Sequence, residues 1–267
     1  MTPQPAILLP PPPAGHFLSF RANGELRPAL ATLDLGEHVA IGLADGSGWR
    51  PFPALDTPAG TIPSSQTDLW AYCRGDNPGQ AFDRARAVVA ALEGVAMVVE
   101  DQPTFTYGSG RDLTGYEDGT ENPTGDDALA AAFHEGRSYV AVQRWVHDLA
   151  AFRRMSRHEQ DLSIGRELEN NAEIGDAPPS AHVKRSAQES FDPAAFMLRR
   201  SMPYGNATAH GLYFVAFGAD LDRFERVLRR MCGLDDGVVD ALFRFSRPMT
   251  GAYYRCPPVV GGRLVVD

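Results

Sequence analysis

Residues 115–123, Gly115-Tyr116-Glu117-Asp118-Gly119-Thr120-Glu121-Asn122-Pro123, set one carboxylate among glycines and close on Asn-Pro. Glycine opens backbone conformations denied to other residues and Asn-Pro favours a turn, so Asp118 is expected to be displayed on a loop. Loops held by a rigid scaffold often carry chemistry, and a displayed carboxylate suits proton transfer. An acidic surface turn has the same composition, and this run alone does not separate the two readings. Three later stretches add two imidazoles, an amine and three guanidiniums: Ser180-Ala181-His182-Val183-Lys184-Arg185, Phe196-Met197-Leu198-Arg199-Arg200-Ser201-Met202-Pro203-Tyr204-Gly205, and His210-Gly211-Leu212-Tyr213-Phe214.

In this order the stretches resemble the dye-decolourising peroxidases, a family of haem peroxidases, in its compact bacterial form. The resemblance is strongest from Gly115 to Phe217 and extends over most of the chain. It implies haem b, one per chain, with His182 as the proximal iron ligand and Asp118 and Arg199 on the distal face. Thr120, Asn122, Met202 and Phe214 would line the haem. The implied reaction reduces hydrogen peroxide and oxidises phenolic or dye-like donors in one-electron steps through an oxo-ferryl intermediate.

The chemistry of those residue types agrees. Heterolysis of peroxide needs a base that moves a proton from the inner oxygen to the outer, which a carboxylate supplies. A guanidinium stays charged at working pH, steadies the departing oxygen and helps keep Asp118 ionised. Strand alternation sends Arg199 and Arg200 to opposite faces, and the spacing to Met202-Pro203-Tyr204-Gly205 selects Arg199. A proximal histidine needs an acceptor for its other ring nitrogen; Asp240 is the candidate, with Asp235, Asp236 and Glu189 left open. Apart from the resemblance, His182 is not separable from His210, the runner-up; His16, His38, His134, His147 and His158 have no feature that selects them. Ser201 stands where some relatives carry asparagine, one donor in place of two, which predicts weaker distal peroxide binding. Trp145, Tyr253 and Tyr254 are candidates either for electron relay or for core.

The elements must position these groups. A proline-rich start, 1–13, is expected to be an extended arm. Strands are expected over His16–Arg21, Glu37–Leu43, Asp68–Cys73 and Val95–Glu100, with a helix carrying Leu26, Leu30 and Leu33 after the first. Arg50–Gln66 reads as loop. A second helix is capped by Asn77 with Pro78 in its first turn, buries Phe82, Ala85, Val88, Val89 and Leu92, and stops at Gly94. The order β-α-β-β-α-β is ferredoxin-like. The second half repeats it: a strand over Ser138–Trp145, a short helix to Met155, a capping box at Ser156-Arg157-His158-Glu159, core strands over Phe196–Arg200 and Leu212–Phe217, a helix bearing Leu221, Phe224, Leu228 and Met231, and a last strand over Gly251–Arg255. The fold class is α+β, two ferredoxin-like halves with antiparallel sheets, 1–125 carrying the Asp118 loop and 126–267 carrying His182, Arg199 and most of the haem pocket.

Composition narrows the functions. The chain of 267 residues, 43% hydrophobic, can bury a sizeable core. A net charge of −9 with no basic block argues against nucleic acid. Cys73, Cys232 and Cys256 form no Cys-x-x-Cys pair, pointing to neither a zinc site nor a disulfide framework and to a reducing compartment, and the start lacks a basic leader or membrane span, so the cytoplasm is expected. A homo-oligomer is expected from the resemblance. The ending Val265-Val266-Asp267 predicts no tail for docking into an encapsulating shell. Two rival readings are a haem-handling or haem-sensing protein, which needs His182 but neither Asp118 nor Arg199, and a cofactor-free interaction domain.

Overall fold

The computed structural model describes residues 1–266. A four-residue helix α1 (Pro5–Leu8) precedes β1 (Ala14–Ala22), α2 (Leu26–Thr32), β2 (Val39–Leu43), a hairpin of β3 (Leu55–Thr57) and β4 (Gly60–Ile62), β5 (Leu69–Gly75), α3 (Pro78–Ala91) and β6 (Ala96–Phe105). There follow α4 (Gly125–Ala132), β7 (Ser138–His147), α5 (Leu149–Arg154), α6 (Arg157–Ile164), α7 (His182–Ser186), β8 (Leu198–Arg199), β9 (Met202–Gly205), β10 (His210–Gly218) and α8 (Asp222–Met231). The chain closes with β11 (Ser246–Pro248), β12 (Ala252–Cys256), β13 (Val259–Val260) and β14 (Arg263–Leu264).

Both halves have the ferredoxin-like strand order. In the first, β6 pairs with β1, β1 with β5 and β5 with β2, all antiparallel; in the second, β12 pairs with β7, β7 with β10 and β10 with β9. The expected two sheets are joined into one. The pairs Leu43↔Arg255 and Thr104↔Tyr204 are the seams, and the ten-stranded sheet returns on itself because β7 also pairs with β10. Closure removes exposed edges. Aromatic rings fill the enclosed space: Phe17 stacks on Tyr213 at 4.2 Å and on Tyr72 at 4.7 Å, with Trp70 and Tyr254 beside them. Helices cover the outside of each half over separate apolar clusters.

Local signals explain the helices that matter. Asn77 accepts from the Gln80 N–H and Pro78 opens α3, while Ser156 and Glu159 form the expected reciprocal capping box of α6, which ends on Gly165 at φ 91°. Four expectations differ. The N-terminal segment is not simply an extended arm: α1 is buried, and its C-terminal carbonyls attract guanidiniums, Arg74 reaching Ala6 O and Arg200 reaching Ile7 O and Leu8 O. The loop 50–66 contains the hairpin β3–β4. Phe82 and Val89 are 52% and 38% exposed, because the buried stripe of α3 runs through Ala81, Ala85 and Val88, and these two flank it. Phe196 is exposed, and the strand there is only Leu198–Arg199.

The β7–β10 contact leaves no room at one position. A Cβ built on Gly211 would lie 1.9 Å from the Trp145 carbonyl oxygen, which belongs to backbone and cannot rotate away. Gly211→Ala should therefore cost about 3 kcal/mol by forcing the strands apart. Thermal unfolding of the variant should show its midpoint lowered by roughly 2–4 °C for each kcal/mol lost.

Candidate active site

His182 opens α7 after the Pro178-Pro179 turn. Its Nδ1 lies 2.8 Å from Asp240 Oδ2. Asp240 is wholly enclosed; its other oxygen accepts from the Leu242 N–H at 2.8 Å, and its own N–H donates to the Met231 carbonyl at 2.8 Å. Thus the candidate acceptor for His182 is Asp240, while Asp236 pairs with Arg185 and Asp235 with Arg229. Burial by itself disfavours the imidazolium, but the charge and hydrogen bond of Asp240 outweigh it and raise the His182 pKa. With Nδ1 committed, Nε2 has no hydrogen-bond partner among the described residues, and the ring borders a cavity. His210 is elsewhere, its Nδ1 3.1 Å from the Asn206 carbonyl at the exposed entry to β10.

Asp118 occupies the same cavity from the 108–122 loop, its N–H donating to the Gly110 carbonyl at 3.3 Å. Arg199 projects into it from β8. Asn122 clamps that arginine's backbone: Oδ1 accepts from Arg199 N–H at 2.8 Å and Nδ2 donates to its carbonyl at 3.2 Å. Arg200 points the other way, into the carbonyls of α1, as alternation requires. Among the described residues Asp118 and Arg199 form no ion pair within 4.0 Å, and the buried Arg199 Nε has no partner. Crowding by protein raises the Asp118 pKa, against the opposing charge of Arg199 and with the Asp112 carboxylate adding to the rise. Asp118 still meets water through the cavity, so its desolvation becomes complete only when the cavity is filled.

The cavity is open to solvent, and the free space in and around it, solvent included, is about 970 Å³. Its walls are largely apolar, with Met197, Leu212, Phe214, Val227, Leu228 and Met231 among them, and the buried Gln143 Nε2 has no partner. Phe214 is one of these wall residues. Thr120 borders the adjoining opening shared by Asp118, His182 and Arg199. Asn122 acts on the Arg199 backbone and faces an outer cleft. Met202 does not belong to this cavity: alternation along β9 turns it into the barrel, where its sulfur meets the Tyr72 hydroxyl at 3.6 Å and the Thr104 hydroxyl at 3.5 Å. Ser201 is also absent from it: its hydroxyl accepts from the Val215 N–H at 3.2 Å, and the residue borders the outer cleft together with Asp118 and Arg199. Trp145 lines the cavity and donates to Gln143 Oε1 at 3.2 Å, whereas Tyr253 and Tyr254 are fully buried outside it.

Asp112 and His147 escaped sequence reasoning. They meet at 3.1 Å and both line the cavity. A signal existed: Gln143, Trp145 and His147 alternate along β7, so the three share one face.

The model of the C-terminal part of Dyp-type peroxidases matches residues 109–261. The chain belongs to the Dyp-type peroxidase family. It is similar to the dye-decolorizing peroxidase of Mycobacterium tuberculosis, 29% identical over 97% of this chain and 89% of the relative. The dye-decolorizing peroxidase of Mycolicibacterium paratuberculosis is 31% identical over 80% of this chain and 65% of its own length. Among solved structures, a DypB variant of Rhodococcus jostii RHA1 in complex with heme superposes with TM-score 0.88, at 29% identity and 96% coverage of both chains. The dye-decolorizing protein from V. cholerae gives TM-score 0.88, at 28% identity over 95% of this chain and 96% of that one.

In this Dyp-type chain the clamp on Arg199 is open to direct measurement. Asn122→Ala removes both hydrogen bonds and leaves the Arg199 N–H unpaired, which should destabilise the protein by about 1–3 kcal/mol in urea titration.

Proposed function

We propose that this chain is a haem-dependent peroxidase that reduces hydrogen peroxide and oxidises phenolic or dye-like aromatic donors. The observation that carries the reading is one cavity bounded by His182, with Nδ1 anchored on buried Asp240, and by Asp118 and Arg199. The residues fit haem b. An imidazole nitrogen without a protein partner, apolar walls, and the unpaired Arg199 Nε and Gln143 Nε2 suit a large flat group with a metal centre and polar edges.

Bound haem would supply the redox chemistry, storing the oxidising power of peroxide and spending it one electron at a time. His182 would hold the iron through Nε2, and Asp240, accepting from Nδ1–H, would fix the tautomer and make the ring a stronger donor. Asp118 takes the proton from the inner peroxide oxygen and returns it to the outer one. Arg199 offers a permanent positive charge to the departing oxygen and opposes the upward pull of burial on the Asp118 pKa. The apolar walls exclude competing water. Thr120, at the adjoining opening, and Phe214, in the wall, would contact the cofactor, whereas Asn122 acts by holding Arg199.

The free, buried cysteines support residence in the reducing cytoplasm. No helix among the described residues is long and apolar enough to cross a membrane. A symmetric homo-oligomer is supported by the groove between α3 and β6, where Phe82, Val89 and Val98 are all exposed. Light scattering on wild type should give a multiple of 29.0 kDa, and the double change Phe82→Glu, Val98→Glu should lower it.

The test of activity is the Soret spectrum of haem-loaded protein before and after one equivalent of hydrogen peroxide. Wild type should show a ferric band that peroxide shifts, and His182→Ala should lose haem. Asp118→Ala and Arg199→Leu should retain haem but slow the shift by about 10²–10⁴-fold. An Asp118→Ala protein that responds at the wild-type rate would replace the peroxidase reading with haem handling.

A further inference from the structure

The cavity holds a second carboxylate–imidazole pair that the roles of His182, Asp118 and Arg199 leave unused. His147 Nε2 lies 3.1 Å from Asp112 Oδ2, and His147 Nδ1 lies 2.7 Å from Ser246 Oγ. The imidazole is nearly sealed, its side chain 4% exposed, and Ser246 is completely buried. Ser246 on β11 is the direct cross-strand partner of His147 on β7, so the ring is fixed to the barrel wall rather than to a loop.

The carboxylate organises the other side. Asp112 Oδ1 accepts from the Thr114 N–H at 2.8 Å, the Asp112 N–H donates to the Tyr116 carbonyl at 2.8 Å, and the Asp112 carbonyl accepts from the Gly115 N–H at 2.8 Å. The same loop closes where Asp118 N–H meets the Gly110 carbonyl. Asp112 therefore ties the inner turn of this loop to β7, as Asn122 ties its outer turn to β8. A buried polar pair is a weak source of net stability, which leaves its place beside Asp118 to be explained by position and field.

We propose that Asp112, held by His147, is a positioning residue for Asp118: the pair fixes the loop that presents Asp118 and sets a second negative charge on the same cavity. Groups facing Asp118 are Asp112 from its own loop, Arg199 from β8, His182 from α7 and the Gly119 N–H. The first makes ionisation of Asp118 harder and the other three make it easier. Removing the Asp112 charge therefore lets Asp118 ionise at lower pH. Desolvation opposes the charge on Asp112 itself, but the hydrogen bond and charge of His147 overcome it and hold Asp112 below the usual carboxylate range.

This inference rests on Asp118 being the proton acceptor, and the experiment separates the two claims. Cyanide affinity of the ferric holoenzyme is measured against pH by the Soret shift, for wild type, Asp118→Asn, Asp112→Asn and Asp112→Ala, together with haem content. Bound as the anion, cyanide gives up a proton that Asp118 can accept, so in wild type affinity should be level while Asp118 is ionised and fall on an acid limb below that range; in Asp118→Asn the proton must go to water, so affinity should fall steadily with falling pH and show no level range. Asp112→Asn, which keeps the shape, should keep haem and move the acid limb to lower pH. Asp112→Ala and His147→Phe should slow the peroxide-dependent spectral shift on the order of 100-fold with haem retained, and His147→Gln, with a donor near the same place, should restore much of the rate. An acid limb in Asp112→Asn that coincides with wild type overturns the inference, as does loss of haem in that variant, which would make the pair a structural staple. If Asp118→Asn keeps the wild-type level range and its acid break, the role of Asp118 fails first and the inference falls with it.

Discussion

Pairing of β10 with β7 is the constraint on which the site depends. It closes the sheet, and the two strands then form one continuous wall: Gln143, Trp145 and His147 come from β7, Leu212 and Phe214 from β10. Arg199 is carried by the same wall, since β8 pairs only with β10, at Leu198↔Phe217 and Arg199↔Ala216. A site built on paired strands holds its side chains more closely than one built on loops. Tight contact at Gly211 is the cost of that closure, because no side chain fits between the strands there.

Opposite this wall stand two segments with little regular structure of their own, the loop bearing Asp118 and the turn that delivers His182. They are secured by polar contacts. Asn122 binds the backbone of Arg199, Asp112 binds His147, and Arg166 reaches Glu121 at 2.6 Å from the stretch that leads to His182. Tyr116 donates to Asp161 of α6, fastening the loop to the helix whose end starts that stretch. The Asp118 loop and the His182 segment are thus linked to each other as well as to the barrel.

The charges in the cavity form a balanced set. On one side Asp240 favours the imidazolium of His182 against the pull of burial; on the other Arg199 favours the carboxylate of Asp118 against burial and the nearby Asp112. Removing water strengthens every such interaction, because the medium that screens them is displaced. A large apolar ligand filling the cavity would displace that water, so binding and acid–base behaviour are coupled by desolvation.

Much of this was legible in the sequence wherever the determinant is local. Asn77 with Pro78 and the Ser156–Glu159 capping box are decided within one turn of helix, and the structure has both as expected. The separation of Arg199 from Arg200 followed from the pleat of a strand. Ordered motifs led to the candidate residues, and Asp118, His182 and Arg199 do meet at one cavity. Tertiary structure alone decided the rest. Met202 turns into the barrel because β9 pairs with both β6 and β10, a register no short window contains. The arm at 1–13 folds inward because Arg74 and Arg200, distant in the chain, seek its carbonyls. His147 gained its meaning only when Asp112 and Ser246, 35 and 99 positions away, came within hydrogen-bond reach. Local backbone preferences are written in neighbouring residues, whereas the partner of a buried polar group is set by whichever strands the fold brings together.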